Sequence, residues 1–86
     1  MEIIYSREAV KSINKLDKQT KQRIKTGIEA LTLKPPKGDI KQMQGFEDNR
    51  FRLRIGKYRI VYKFLLDNSI EILYIINIGS RGDIYK

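Results

Sequence analysis

Apolar residues recur at helical spacing in the first half of the chain, after a short opening run that favours a strand. Residues 2–5 are mostly β-favouring, and both Ser6 and Asp17 are residue types that cap helix N-termini. Pro35 and Pro36 end the second helix, because proline lacks an amide hydrogen. Two apolar stripes result, the first from Ala9, Val10, Ile13 and Leu16 and the second from Ile24, Ile28 and Leu31. The pattern predicts an antiparallel helix hairpin after a short strand.

The second half alternates apolar and polar residues with a period of two, which predicts strands. Residues 51–55 and 58–65 flank Gly56-Lys57, and a two-residue loop with glycine first is typical of a type II′ hairpin turn. The apolar pairs that this turn sets opposite each other are Ile55 with Tyr58, Leu53 with Ile60 and Phe51 with Tyr62. That face should pack on the helices, with both tyrosines in the core. The other face sets Arg54 opposite Arg59 and Arg50 opposite Lys63.

The remaining segments complete an α+β architecture. Residues 35–49 contain Pro, Gly, Asp and Asn and are predicted to form a loop. Residues 70–78 are apolar on both sides except at Glu71 and Asn77, which is typical of a central strand. Residues 79–82 are predicted to form a bend and residues 83–86 a short tail. We expect a single domain over residues 1–86, with a short N-terminal strand and the helix hairpin on one face of a mainly antiparallel sheet.

Composition excludes several kinds of active site. The 86 residues include no Cys, no His and no Trp. A disulfide framework, a thiolate nucleophile, a zinc ribbon and a histidine base are therefore excluded, and we expect no metal and no cofactor. The N-terminus lacks a signal-peptide apolar region, and the longest apolar run, residues 72–76, is too short to span a bilayer. We therefore expect a cytoplasmic protein without a membrane partner.

The positive charge is concentrated on the predicted β-hairpin. The chain has 18 Lys and Arg against 10 Asp and Glu, a net charge of +8. Between Asn49 and Leu66 there is no acid, and the cations there are Arg50, Arg52, Arg54, Lys57, Arg59 and Lys63. Like charges opposite each other on paired strands destabilise a sheet by ~0.2–1 kcal/mol each. Since arginine binds phosphate through two hydrogen bonds, the hairpin is interpreted as a nucleic-acid phosphate platform, the alternative being a basic face kept for solubility.

Two strings of this hairpin and tail resemble a known family. The first string is Arg50-Phe51-Arg52-Leu53-Arg54-Ile55-Gly56-Lys57-Tyr58-Arg59-Ile60-Val61-Tyr62, and the second is Ile78-Gly79-Ser80-Arg81-Gly82-Asp83-Ile84-Tyr85. Together they are similar to the RelE/ParE toxin superfamily of type II toxin–antitoxin systems. The resemblance covers essentially the whole chain. It implies a RelE-like fold and a ribosome-dependent endoribonuclease that cuts mRNA in the A site. Such enzymes use the 2′-hydroxyl of the RNA as nucleophile and need no metal.

The resemblance also assigns roles to residues. It makes Arg59, Arg81 and Tyr85 catalytic, with Tyr85 as the base. The RNA- or phosphate-binding set is Arg50, Arg52, Arg54, Lys57 and Lys63. The first two hairpin cations of the family correspond to Arg52 and Arg54 here, and relatives often carry lysine at both positions. Some relatives carry histidine where this chain has Ser80, and its absence here argues against the histidine-using branch.

The implied partners are a cognate acidic RelB-like antitoxin, the ribosome and mRNA. Two alternatives remain open. One is a ParE-like chain that inhibits DNA gyrase through protein contacts. The other is a non-catalytic or degenerate homologue that binds RNA without cutting it.

Overall fold

A computed structural model describes residues 1–80, which form two helices on a five-stranded sheet. The elements are β1 (Glu2–Tyr5), α1 (Arg7–Asn14), α2 (Lys18–Ala30), β2 (Asp39–Gln42), β3 (Phe51–Ile55), β4 (Tyr58–Asp67) and β5 (Ile70–Ser80). The strands lie in the order β1-β5-β4-β3-β2. β1 runs parallel to β5, and all other neighbours are antiparallel. The predicted α+β class, the opening strand and the central position of β5 are confirmed.

Both helices begin at the predicted caps. The Ser6 hydroxyl accepts a hydrogen bond from the Ala9 amide at 3.0 Å, and the Asp17 carboxylate accepts one from the Thr20 amide at 3.4 Å. The prediction that Val10 faces the core was wrong, since Val10 is 42% exposed. Its neighbour Ala9 already faces the sheet, and adjacent helical residues point in different directions. Neither helix within residues 1–80 is long and apolar enough to cross a lipid bilayer.

The core lies between the helices and one face of the sheet. Its buried members are Ala9, Ile13, Ile24, Ile28, Leu31, Leu53, Ile60, Tyr62, Leu73, Ile75 and Ile78. The predicted β3–β4 register is confirmed at Leu53 with Ile60 and at Phe51 with Tyr62. Gly56 adopts φ +58°, the positive φ that the first central residue of a type II′ turn requires. This turn therefore fixes which hairpin side chains point away from the helices.

The segment predicted as a loop over residues 35–49 contains a strand, so that prediction was wrong for Asp39–Gln42. β2 pairs antiparallel with β3 and forms one edge of the sheet. Ile40 is its single apolar residue and packs against the core. Sequence periodicity cannot reveal a four-residue strand with one apolar position. β2 is stabilised instead by the backbone groups of β3, which pair with it along this edge.

A β-bulge interrupts the pairing of β4 with β5. Val61 pairs with Asn77 and Tyr62 pairs with Ile75, so Ile76 is an extra residue on β5. The Ser6 hydroxyl donates a hydrogen bond to the Ile76 carbonyl at 2.6 Å. This bond satisfies a carbonyl group at the irregular point of the ladder. The bulge brings Ile76 and Asn77 to the same cleft.

Candidate active site

A cleft of about 920 Å³ opens on the face of the sheet opposite the helices. Its floor comes from alternate positions of β3 and β4 and from the bulge of β5, and its wall comes from the segment between β2 and β3. The cationic lining residues are Lys41, Arg50, Arg52, Arg54 and Arg59. Alternation along the strands explains the arrangement, since every core residue of the hairpin has its neighbour on this face. The cleft is therefore strongly positive.

The side chain of Arg52 is more buried than those of Arg50 and Arg54, its neighbours in the cleft. Its side chain is 13% exposed, and its Nη1 lies 3.6 Å from Oδ1 of Asp39. That separation is too long for a hydrogen bond, and within the described part of the chain Nη1 is buried without a hydrogen-bond partner. A buried donor left in this state is costly, at roughly 1–3 kcal/mol. Nη1 of Arg52 therefore has capacity for one further acceptor.

Asp39 also holds the neighbouring hairpin arginine. Nη2 of Arg54 and its Nε both lie 2.7 Å from Oδ2 of Asp39. The two residues are directly opposite each other on β2 and β3. One carboxylate at the sheet edge thus orients two guanidinium groups, those of Arg52 and Arg54, on the floor of the cleft.

A second carboxylate organises the wall of the cleft. Asp48 accepts a hydrogen bond from Lys63 Nζ at 2.9 Å and one from Arg50 Nε at 2.7 Å. The Lys63 bond and then the Arg50 bond hold the pKa of the Asp48 carboxyl below its usual value of 3.8. The guanidinium of Arg50 in turn lies 4.6 Å from the centre of the Phe46 ring. These contacts tie the segment between β2 and β3 to β4.

The structure brings together four of the eight residues that the sequence predicted for the site. Arg50, Arg52, Arg54 and Arg59 line the cleft. Lys63 contacts Asp48, and Lys57 Nζ lies 5.5 Å from the centre of the Tyr58 ring, beside a separate pocket of about 390 Å³. The predicted catalytic residues Arg81 and Tyr85 lie outside the described residues.

Sequence reasoning missed the residues that hold these cations in place. Asp39 and Asp48 each contact cations up to 15 positions away, a distance at which local pattern carries no pairing signal. Phe46 and Asn77 also line the cleft. The one available signal for Phe46 was an aromatic residue within a polar, glycine-containing segment.

The cleft is suited to binding phosphate. Arginine forks form paired hydrogen bonds to phosphate oxygens, and several of them on one surface stabilise developing negative charge. Among residues 1–80, no group of three or more acidic side chains is placed to hold a metal ion.

Comparisons with known proteins identify the family of the chain. A family model described as the ParE toxin of type II toxin–antitoxin systems matches residues 3–85. A candidate toxin RelE1 of Methanocaldococcus jannaschii is 34% identical over 83 residues, covering 93% of this chain and 89% of the relative.

Several solved structures share the fold of this chain. The archaeal RelE–RelB complex from Pyrococcus horikoshii matches with a TM-score of 0.73 and 23% identity, covering 95% of this chain and 96% of that one. The RelB–RelE complex from Methanococcus jannaschii matches with a TM-score of 0.67 and 27% identity, covering 95% of this chain and 94% of that one. A YoeB/ParE toxin from Agrobacterium tumefaciens matches with a TM-score of 0.79 and 16% identity, covering 94% of this chain and 99% of that one. The chain therefore belongs to the RelE/ParE superfamily of toxins from type II toxin–antitoxin systems.

Proposed function

We propose that this chain is a RelE-like toxin that cuts mRNA on the ribosome and that its cleft binds the scissile phosphate. The observation that carries this proposal is the convergence of Arg52, Arg54 and Arg59 on one cleft. The buried Nη1 of Arg52, which lacks a hydrogen-bond acceptor within the described chain, supports an anionic ligand there. The 34% identity to a candidate RelE1 toxin supports the RelE-like assignment.

The proposed reaction uses the RNA as its own nucleophile. A base takes the proton of the 2′-hydroxyl, the 2′-oxygen attacks phosphorus, and the bond from phosphorus to the 5′-oxygen breaks. An acid protonates the departing 5′-oxygen, so the products end in a 2′,3′-cyclic phosphate and begin with a 5′-hydroxyl. The pentacoordinate intermediate carries two negative charges. In this proposal Arg52, Arg54 and Arg59 surround it, while Arg50, Lys57 and Lys63 bind the flanking backbone.

The proton transfers are assigned to residues outside the described part of the chain. Arginine is a poor base, because its pKa lies above about 12. The resemblance instead gives this role to Tyr85, since the phenol of a tyrosine has an unperturbed pKa of about 10 and cations beside a phenol lower it. Arg81 stabilises or protonates the departing 5′-oxygen. In this proposal residues 1–86 act as a single cytoplasmic domain, and a cognate acidic RelB-like antitoxin neutralises it, as the RelE–RelB complexes among its structural relatives suggest.

The test is a cell-free translation reaction in which mRNA 5′ ends are mapped by primer extension. The wild-type chain should produce new 5′-hydroxyl ends only when ribosomes are present. Arg52→Ala should slow cleavage by roughly 100- to 1000-fold, the usual loss when one transition-state donor is removed. Tyr85→Phe and Arg81→Ala should also lose cleavage. Lys25→Ala, which removes one positive charge from an exposed position on α2, should cut normally.

Two alternative functions predict intact mRNA in this assay and differ from each other in a second measurement. The family model that matches residues 3–85 is named for ParE toxins, which favours a gyrase inhibitor as the second candidate. Intact mRNA together with gyrase-dependent DNA breaks would support that function and contradict the first. RNA binding without any cut would instead indicate a non-catalytic homologue.

A further inference from the structure

Phe46 differs from the other two phenylalanines of the chain. Phe51 and Phe64 both pack on the buried ring of Tyr62, and their ring centres lie 5.6 Å and 5.7 Å, respectively, from the centre of that ring. Phe46 instead contacts the guanidinium of Arg50 and remains 44% exposed. Phe46 lies outside the core cluster, so its exposed ring is available to a ligand.

The segment that carries Phe46 is held in a defined conformation. The Met43 amide donates a hydrogen bond to the Arg50 carbonyl at 2.9 Å, which closes the segment at its base. Gly45 adopts φ +84°, a conformation that other residues rarely take, and this turn directly precedes Phe46. Because Asp48 fixes Arg50, the guanidinium below the Phe46 ring is also fixed. The exposed ring is therefore presented on an ordered support.

The position of Phe46 relates it to the cationic floor. Phe46 and Arg50 line the same cleft as Arg52, Arg54 and Arg59. A single-stranded nucleic acid whose phosphate is bound by the floor can place an adjacent base at the wall, because floor and wall line one cleft. Exposed aromatic rings beside a basic groove bind bases by stacking, and arginine adds a cation–π contribution to such stacks.

We propose that Phe46, supported by Arg50, is a stacking platform for a nucleobase next to the phosphate held in the cleft. This inference rests on the proposed RNA substrate and adds a base-binding subsite to it. The ligand class is single-stranded RNA with an unpaired base, since a base within a duplex offers no free face. Stacking tolerates any base, and the larger rings of purines should bind more tightly than those of pyrimidines.

The absence of tryptophan from the chain makes the proposal directly measurable. In Phe46→Trp the new indole is the single tryptophan and takes the place of the platform ring. Short oligoadenylate should quench its fluorescence, because a base stacked on the indole quenches it. An abasic ribose-phosphate strand of the same length should bind with little quenching. Phe64→Trp is the matched control, since Phe64 is 39% exposed and does not line the cleft, and its fluorescence should stay unchanged.

A second variant tests affinity. Phe46→Ala should weaken binding of oligoadenylate by roughly 5- to 150-fold, the effect of losing one aromatic–base stack, and should leave binding of the abasic strand unchanged. Phe64→Ala should bind both strands like the wild type. Circular dichroism of each variant checks that the fold is retained.

The results separate this inference from the proposed function, because both assays measure binding without ribosomes or cleavage. Equal quenching by the abasic strand, or wild-type affinity of Phe46→Ala for oligoadenylate, would overturn the platform. A loss in Phe46→Ala of antitoxin binding alone would also overturn it and assign the surface to a protein. Base-dependent quenching in a chain that cuts no mRNA would uphold the platform and contradict only the cleavage proposal.

Discussion

On the helix side of the β3–β4 hairpin, Leu53 and Ile60 face each other and are 2% and 0% exposed. On the opposite side of the same two strands, Arg54 and Arg59 face each other beside the cleft. Burial of apolar area stabilises the first pair. The second pair places like charges together, which weakens the sheet unless carboxylates or a ligand compensate. The first face therefore stabilises the fold, whereas the second gives up some stability to keep the charges that the proposed phosphate site requires.

Adjacent residues of β3 provide the largest test of this comparison. Leu53→Ala should lower the free energy of unfolding by about 2–5 kcal/mol, because it leaves a cavity in the core. Arg54→Ala should lower it by about 0–1 kcal/mol, because an exposed ion pair contributes little. Urea denaturation measures both values. Equal losses in the two variants would contradict the division of roles between the faces.

For RNA binding the order of the two variants should be reversed, so that Arg54→Ala changes binding and Leu53→Ala does not. The loss of one phosphate contact should reduce the slope of log affinity against log salt by about 0.7, the value for a single strand. A Leu53→Ala protein kept below its unfolding temperature should retain the wild-type slope. An unchanged slope in Arg54→Ala would show that this arginine makes no phosphate contact.

High pH should weaken the core face. Burial raises the pKa of the Tyr62 hydroxyl to about 12, against 10.0 in the unfolded chain. The folded state therefore keeps a proton that the unfolded state releases, so stability is unaffected below pH 10 and falls as the pH rises toward 12. Tyr62→Phe should show a shallower decline in thermal unfolding measurements. The decline should not vanish, because burial and then Glu29 also raise the pKa of Tyr5. Identical alkaline profiles for the two proteins would contradict this assignment.

The smallest expected effect concerns the carboxylate on the cleft side. Asp39→Asn removes the negative charge that Arg52 and Arg54 contact. A phosphate would then bind these arginines without displacing a competing carboxylate, and affinity for short single-stranded RNA should rise by about fivefold, equivalent to one surface ion pair. Fluorescence anisotropy at low salt measures the change. Weaker binding would show that Asp39 positions the arginines more than it competes for them.

The sequence was sufficient for the hairpin, because alternation and Gly56-Lys57 together determine its register. It was insufficient for β2, where Ile40 is the single residue that signals a strand. It was also insufficient for the bulge, because residues 75–78 form an almost continuous apolar run in which no feature marks Ile76. The cations were visible as a cluster. Their carboxylate partners were not, because Asp39 and Asp48 find them through the fold and not through local spacing.

Ser6 connects these separate parts of the molecule. Its hydroxyl accepts from the first turn of α1 and donates to the Ile76 carbonyl, and its amide donates to the Ile75 carbonyl at 2.9 Å. The start of a helix and the shape of the cleft floor thus depend on one small side chain. A substitution that removed this hydroxyl would change folding and binding together. A residue near the N-terminus therefore ties the start of α1 to the part of β5 that lines the cleft.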